Sequence, residues 1–222
     1  NLRVHIDYAY RSFVWSNKAK GVAQVHCVII GFSIHSSSGF RHIFLTDGSK
    51  INASNINPYL IDTENMFIES RSRPLCDVSP MRFGSMPRDG GFLILTKEER
   101  DDFLIRYPET ASWIRPYIGS QEFIAGTTRY CLWLVGVLPK EIKKVPEIVR
   151  RIEQVRQFRL NSKAQATRNF ASTPTLFCQI AQPDSGHYVL VPGVSSERRE
   201  YVPMGFLDYT TIASNAALLI PD

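Results

Sequence analysis

No run in this 222-residue sequence approaches eighteen consecutive apolar residues, which excludes a membrane-spanning helix. The N-terminus lacks the basic, apolar and small-residue succession of a secretory signal. Cysteine is scarce and dispersed: Cys27, Cys76, Cys131 and Cys178 each stand alone among apolar neighbours. That pattern argues for reduced, buried thiols of a cytoplasmic protein, against a disulfide framework or a zinc site. His5, His26, His35, His42 and His187 show neither an H-E-x-x-H spacing nor a Cys-x-x-Cys partner, so no metal is expected. A G-x-S-x-G or Cys/His signature for a nucleophile is also missing. There is no internal repeat, heptad run or low-complexity linker. What remains is a chain with 44% hydrophobic content, long enough to bury a real core, and a pI near 9.1.

The positive charge is concentrated in one place. Lys140 to Arg168 holds nine of the 26 Lys and Arg but only three acids, Glu141, Glu147 and Glu153. Nine bases against three acids leave that segment at +6 while the whole chain is +5, so the remainder sums to −1. After Pro146, a good first helical residue, Ile148, Val149, Ile152 and Val155 recur at helical spacing and predict a buried stripe. Arg150 and Arg151 then fall on the solvated side, and Arg156 and Arg159 on or beside the stripe, where a charge needs a partner. Beyond Leu160 the chain turns polar through Ser162, Lys163, Thr167 and Arg168, residue types that commonly contact phosphates. A salt-bridged helix surface is the ordinary explanation of such a run. With so few local acids, a polyanion is the favoured partner.

The rest of the chain reads as strands with few helices. Ser12 to Ser16 alternates around Phe13 and Trp15, which share one side of a strand. Asn17 to Gly21 is a polar, basic turn, and Val22 to Phe32 resembles a strand buried on both faces. Such a strand needs a sheet and covering helices, and the few residues before it cannot supply them. His42 to Leu45 is a short strand closed by the hairpin turn Thr46-Asp47-Gly48-Ser49. Asn57-Pro58-Tyr59 reads as a turn. Phe67 to Leu95 is loop-rich and carries Arg71, Arg73, Arg82 and Arg88, with Arg88-Asp89-Gly90-Gly91 as a turn whose N–H groups suit a hairpin better than a phosphate. Thr96 and Glu99 predict a capping box for a helix running to about Tyr107. EFI and RYCLWLVGV are expected to form a hairpin, followed by strands at Pro174 to Ile180 and His187 to Val191, and a last strand at Ala216 to Ile220.

A series of motifs carries a resemblance. F-x-W-x-N-x-A-x-G followed by VHCVIIGF, then INPYLI, IESRSRPLCDV, FGSMPRDGGFL, WIRPYIGSQEFI, RYCLWLV, VRQFRLNSKAQATR, PGVSSERREYVPMGFL and IASNAALLIP, resembles the MmeI-like restriction-modification enzymes along nearly the whole chain. The resemblance implies an α+β fold: the last strands of a methyltransferase sheet at 1–52, then a mixed α/β target recognition domain at 53–222. It also implies a missing N-terminal methyltransferase part of the same polypeptide. One departure stands at Lys18, where relatives usually carry an acid. Adenine methyltransferases use N-P-P-Y, and Asn57-Pro58-Tyr59 has one proline and follows the Phe13 segment, so it is not a catalytic motif.

The implied function is sequence recognition of double-stranded DNA for an adenine-N6 methyltransferase that uses S-adenosylmethionine. No catalytic residue and no bound cofactor are expected in this chain, because both N-P-P-Y and a glycine-rich strand-to-helix turn are lacking. A methylated base must leave the duplex and rest against flat apolar groups, which makes Phe13, with Trp15, the candidate stacking residues. DNA contacts are expected from Arg11, Asn17, Lys18 and Lys20 near the first turn, from Arg71, Arg73 and Arg88 in the loops, and from Arg156, Arg159, Lys163 and Arg168. Ser195, Ser196, Arg198 and Arg199 precede a strand, where they suit phosphates or base edges. The alternative is a non-enzymatic nucleic-acid-binding module, for RNA as well as DNA.

Overall fold

Alternating and β-branched residues draw the first part of the chain into strands. The structure, a computed structural model, describes residues 4–15, 25–35, 39–196 and 199–222. The chain divides into two units, Asn1–Ser72 and Arg73–Asp222. In the first, β1 (His5–Trp15), β2 (Val25–Ser33), β3 (Arg41–Phe44) and β4 (Lys50–Ala53) form one sheet in the order β2-β1-β3-β4. β2 and β4 run antiparallel to their neighbours, while β1 and β3 are parallel. The expected hairpin joins β3 and β4, with Gly48 in the left-handed region (φ +83°) and the Asp47 carboxylate accepting from Ser49 N and Oγ. Ala9, Ile43, Ala53, Ile56 and Leu60 make a small core. Asn57 is buried and its side-chain oxygen accepts from the N–H groups of Tyr59 and Ile61, so INPYL is a turn built on an asparagine.

One expectation for this unit does not hold within it. Val25, Val28, Ile29, Ile30 and Phe32 of β2 are all exposed, on both faces of a strand that forms the sheet's edge. Their apolarity is therefore not spent on this unit's own core.

The second unit contains two four-stranded sheets and most of the helix. Its elements are β5 (Arg82–Phe83), β6 (Ile94–Leu95), α1 (Lys97–Arg106), β7 (Ile114–Ile118), α2 (Ser120–Ala125), β8 (Arg129–Leu132), α3 (Pro139–Ile142), α4 (Pro146–Leu160), α5 (Gln165–Arg168), β9 (His187–Pro192), β10 (Gly205–Asp208), β11 (Ile212–Ala213) and β12 (Ala217–Pro221). The sheets have the orders β10-β9-β12-β5 and β11-β7-β8-β6. They meet where Ser85 N donates to Ala213 O and Ser214 N to Ile118 O. The approach there is so close that a Cβ on Gly84 would lie 2.3 Å from the Ser214 carbonyl oxygen, so only glycine fits.

Helix α1 starts as expected: Thr96 Oγ1 accepts from Glu99 N, and Glu99 returns a carboxylate oxygen to Thr96 N. It stops before Pro108, which opens a 3-10 turn. Two strand assignments are corrected. EFI lies in α2, which ends at the left-handed Gly126, and the partner of β8 is β7. Residues 174–180 form no strand beyond a single bridge between Met86 and Gln179. The thiols are also less uniform than expected, since all four are free but Cys76 is exposed and only Cys131 is buried.

Helix α4 packs on the second sheet through Ile148 and Val155, which are fully buried beside Cys131, Leu132 and Phe103, with Ile152 half-buried. Val149 is exposed. Eleven residues beyond Ile148, on the same face, stands Arg159, also with no exposed surface. Its guanidinium spends all five N–H donors on main-chain carbonyls: Nε on Arg88, Nη1 on Phe170 and Thr173, Nη2 on Pro87 and Leu176, at 2.7–3.0 Å. Burial lowers its proton affinity, while Cys178 and Asp89 nearby raise it.

Two arginines of α4 thus predict opposite outcomes. Arg159→Leu strands five buried carbonyls and should destabilise the protein by about 3–5 kcal/mol. Arg156→Ala loses one exposed pair with Glu153 at 3.7 Å and should cost no more than about 0.5 kcal/mol. Equilibrium urea unfolding of both variants checks the contrast, and near-equal midpoints would contradict it.

Candidate nucleic-acid interface

The bases of the charged segment fall into two groups. At the start of α4, Arg150 meets Glu147 at 2.6 Å, and Lys144 meets Glu141 at 2.8 Å. Arg151 bridges Glu147 and Glu99, both at 3.1 Å, and donates to the Phe92 carbonyl, so it belongs to the packed side and not to the solvated one. Hydrogen bonds from Arg150, then Arg151, hold the Glu147 carboxyl below its ordinary range. Arg156 is exposed and pairs with Glu153. This half of the segment is the salt-bridged helix surface that the local acid count seemed too small to provide. Glu99, from α1, supplies the missing acid.

The end of α4 is different. Arg159 is not a DNA contact: it has no surface, and each of its donors is engaged. It instead fixes the loops around it. Lys163 is exposed, and among the described residues no carboxylate pairs with it. Arg168 is half-buried and donates Nη1 to the carbonyls of Ser162 (2.6 Å) and Lys163 (2.9 Å), and Nη2 to Gln165 Oε1 (2.5 Å). Arg88 is exposed and donates Nη1 to Thr167 Oγ1 at 3.2 Å and Nε to Met86 Sδ at 3.0 Å. The acceptors that Arg88 and Arg168 reach are all neutral, so among the described residues no carboxylate pairs with either. Thr167, read from the sequence as a residue type that contacts phosphates, is instead buried and accepts from Arg88.

The turn at Arg88 does not offer its N–H groups to an anion. The buried carboxylate of Asp89 accepts from Gly91 N (3.1 Å) and Leu93 N (2.6 Å), filling the cradle from within. Other candidates stand apart. Ser195, Ser196 and Arg199 are exposed, and Arg199 N donates to Ser196 O at 3.1 Å. Arg73 is exposed. Arg198 lies outside the described residues. Among the described residues of either unit, no cluster of His, Cys, Asp and Glu has the makings of a metal site. No described helix is long and apolar enough to cross a membrane.

In the first unit, the end of β1 carries the aromatic pair. The rings of Phe13 and Trp15 are 6.4 Å apart and tilted by 57°, on one side of the strand as alternation requires. Phe13 is half-buried, while Trp15 is 61% exposed. The register against β2 shifts between Tyr10 and Phe13, which re-aims the strand just before the pair. Arg11 and Arg71 are exposed. Asn17, Lys18 and Lys20 lie outside the described residues. Tyr10 stacks on Phe44 of the neighbouring strand with ring centroids 4.4 Å apart.

Comparison with known proteins places these features in a family. Residues 62–222 match the family described as "MmeI, target recognition domain", and residues 1–45 the one described as "MmeI, DNA-methyltransferase domain". A relative from Bacillus subtilis (strain 168), "DNA methyltransferase A", is 40% identical over 219 residues, which cover 99% of this chain and 25% of that protein. A solved structure of the Type IIL restriction-modification enzyme MmeI in complex with DNA is 41% identical, with a TM-score of 0.84 over 99% of this chain and 30% of that one. The chain therefore spans about a quarter to a third of the proteins it matches. With its mixed sheets, its basic helix and the match across Arg73–Asp222, the chain belongs to the MmeI target recognition domain family.

Proposed function

We propose that this chain is the DNA-reading part of a longer, cytoplasmic restriction-modification enzyme that methylates adenine N6 in duplex DNA. The observation that carries the reading is a contrast between the two ends of α4: Lys144, Arg150 and Arg151 are paired with carboxylates, while Arg88, Lys163 and Arg168 meet only neutral atoms or solvent. Unpaired, preorganised cations on loops suit a phosphate backbone. Lys163 and Arg168 are assigned to phosphates, with Arg71, Arg73 and Arg11 as further backbone contacts. Arg199, with Ser195 and Ser196, is assigned to the groove, where an arginine can take a guanine edge. Arg156 and Arg159 are left out of the interface.

Phe13 and Trp15 are assigned to the extruded adenine, which needs flat apolar surfaces. The domain limits proposed are 1–52 for the methyltransferase part and 53–222 for recognition. The uncovered apolar β2 is assigned to contact with the preceding methyltransferase part of the same polypeptide, since a long apolar edge strand is otherwise an aggregation hazard. S-adenosylmethionine does not fit the described residues of the first unit. The described residues of the first unit contain strands and no helix, so they offer no strand-to-helix turn for the methyl donor. The cofactor is assigned to the parent beyond these residues.

The 222-residue chain should give no heat of S-adenosylmethionine binding in calorimetry; stoichiometric micromolar binding would sink the division of labour. In the full-length parent, Phe13→Ala should lose methylation while keeping most duplex affinity, because stacking, worth roughly 1–3 kcal/mol per base, acts after the phosphates are held. A wild-type methylation rate would make Phe13 a spectator, and thermal melting identifies mere unfolding. Lys163→Ala should weaken all duplexes alike and lower the salt slope by about 0.9. Arg199→Ala should cost about 1–3 kcal/mol on the cognate site and little elsewhere. Wild-type binding by both variants to cognate and to random duplexes across a salt series would move the DNA face away from them. In the same assay, structured RNA competing as well as duplex DNA would favour a general nucleic-acid module.

A further inference from the structure

Arg88 occupies a conformation that arginine rarely adopts, with φ at +45°. Gly90 and Gly91 in the same turn are also left-handed, so the loop reverses direction through three such residues. If the backbone alone mattered, glycine or asparagine at 88 would serve with less strain. An arginine there has to be held. Two buried groups hold it: Asp89, which caps Gly91 N and Leu93 N, and Arg159, whose Nε takes the Arg88 carbonyl while Nη2 takes that of Pro87. So fixed, the Arg88 side chain crosses to Thr167, the residue before Arg168.

The other side of this junction is tied to the same cation. Arg159 Nη1 and Nη2 also take the carbonyls of Phe170, Thr173 and Leu176, the stretch that follows α5. Arg168 in turn braces the loop carrying Lys163. Two loops far apart in sequence thus meet at one guanidinium, which sets Arg88 against the segment that carries Lys163 and Arg168. Resting on the DNA-reading function proposed above, we propose that Arg159 is a positioning residue that locks Arg88 beside Arg168 and Lys163 as a single phosphodiester-binding edge.

The test is duplex DNA binding by the full-length parent across a salt series, with circular dichroism to establish the folded fraction. Arg88→Ala should lower the slope of log K against log salt by about 0.9, one phosphate contact. Arg159→Lys conserves the total charge but cannot reach five carbonyls, and its folded fraction should lose the same slope. The double variant should then lose no more than Arg88→Ala alone. A merely structural Arg159 would leave the slope of the folded protein unchanged, and a wild-type slope in Arg159→Lys overturns the proposal. Should that variant fail to fold, Arg88→Gly keeps the left-handed turn and removes only the guanidinium. It must match Arg88→Ala, and a wild-type slope there overturns the edge itself. If the wild-type protein shows no salt-dependent duplex binding, the DNA-reading function fails. If it binds steeply and all variants match it, this positioning alone fails.

Discussion

Five main-chain carbonyls from two loops converge on the guanidinium of Arg159, and the geometry around the end of α4 depends on that convergence. A buried cation is expensive when its donors are idle. Here none is idle, and the carbonyls gain as much as the cation, because loops buried against a helix otherwise carry acceptors that water cannot reach. No carboxylate takes part. An ion pair would have satisfied the charge with one partner, whereas the carbonyls satisfy it with five acceptors from two loops. The cation thereby organises chain that has no sheet or helix of its own to belong to.

This explains why some of the fold was legible in the sequence and some was not. Helix α4 announced itself through Pro146 and the Ile148 to Val155 spacing, α1 through Thr96 and Glu99, and the β3–β4 hairpin through Asp47-Gly48. These signals are local. The stretch 174–180 carries the apolar residues of a strand, but the neighbouring carbonyls of Thr173 and Leu176 are directed to Arg159, outside any ladder. EFI became helical because Glu122 receives the Gly119 N–H and Gly126 closes the C-terminal end; a glycine before the helix has no side chain to advertise a cap.

The same limit applies to charge. Counting acids within 140–168 left the bases of α4 apparently unpaired, yet Glu99 reaches Arg151 from another helix. Arg151 lies on the face shared by Ile148 and Val155, and Arg156 about one residue's rotation away from it, so these two exchange their expected places, while Arg150 is solvated and Arg159 buried as expected. Composition correctly located the charge. Only the fold separates cations committed to carboxylates from those left for a partner.

That separation bears on how a recognition domain can be both rigid and strongly basic. Like charges brought side by side repel, and a flexible loop would let Arg88, Lys163 and Arg168 drift apart. Hydrogen bonds to neutral acceptors solve the problem without cancelling the charge: Thr167, Gln165 and the carbonyls of Ser162 and Lys163 fix the guanidinium planes while leaving their field intact. Carboxylates would hold them as well but would neutralise the surface. Acids are accordingly kept to the start of α4 and to the buried Asp89, where they brace backbone and packed helix faces. The division of partners along one helix, acids at one end and carbonyls at the other, lets a single element anchor the core and expose charge.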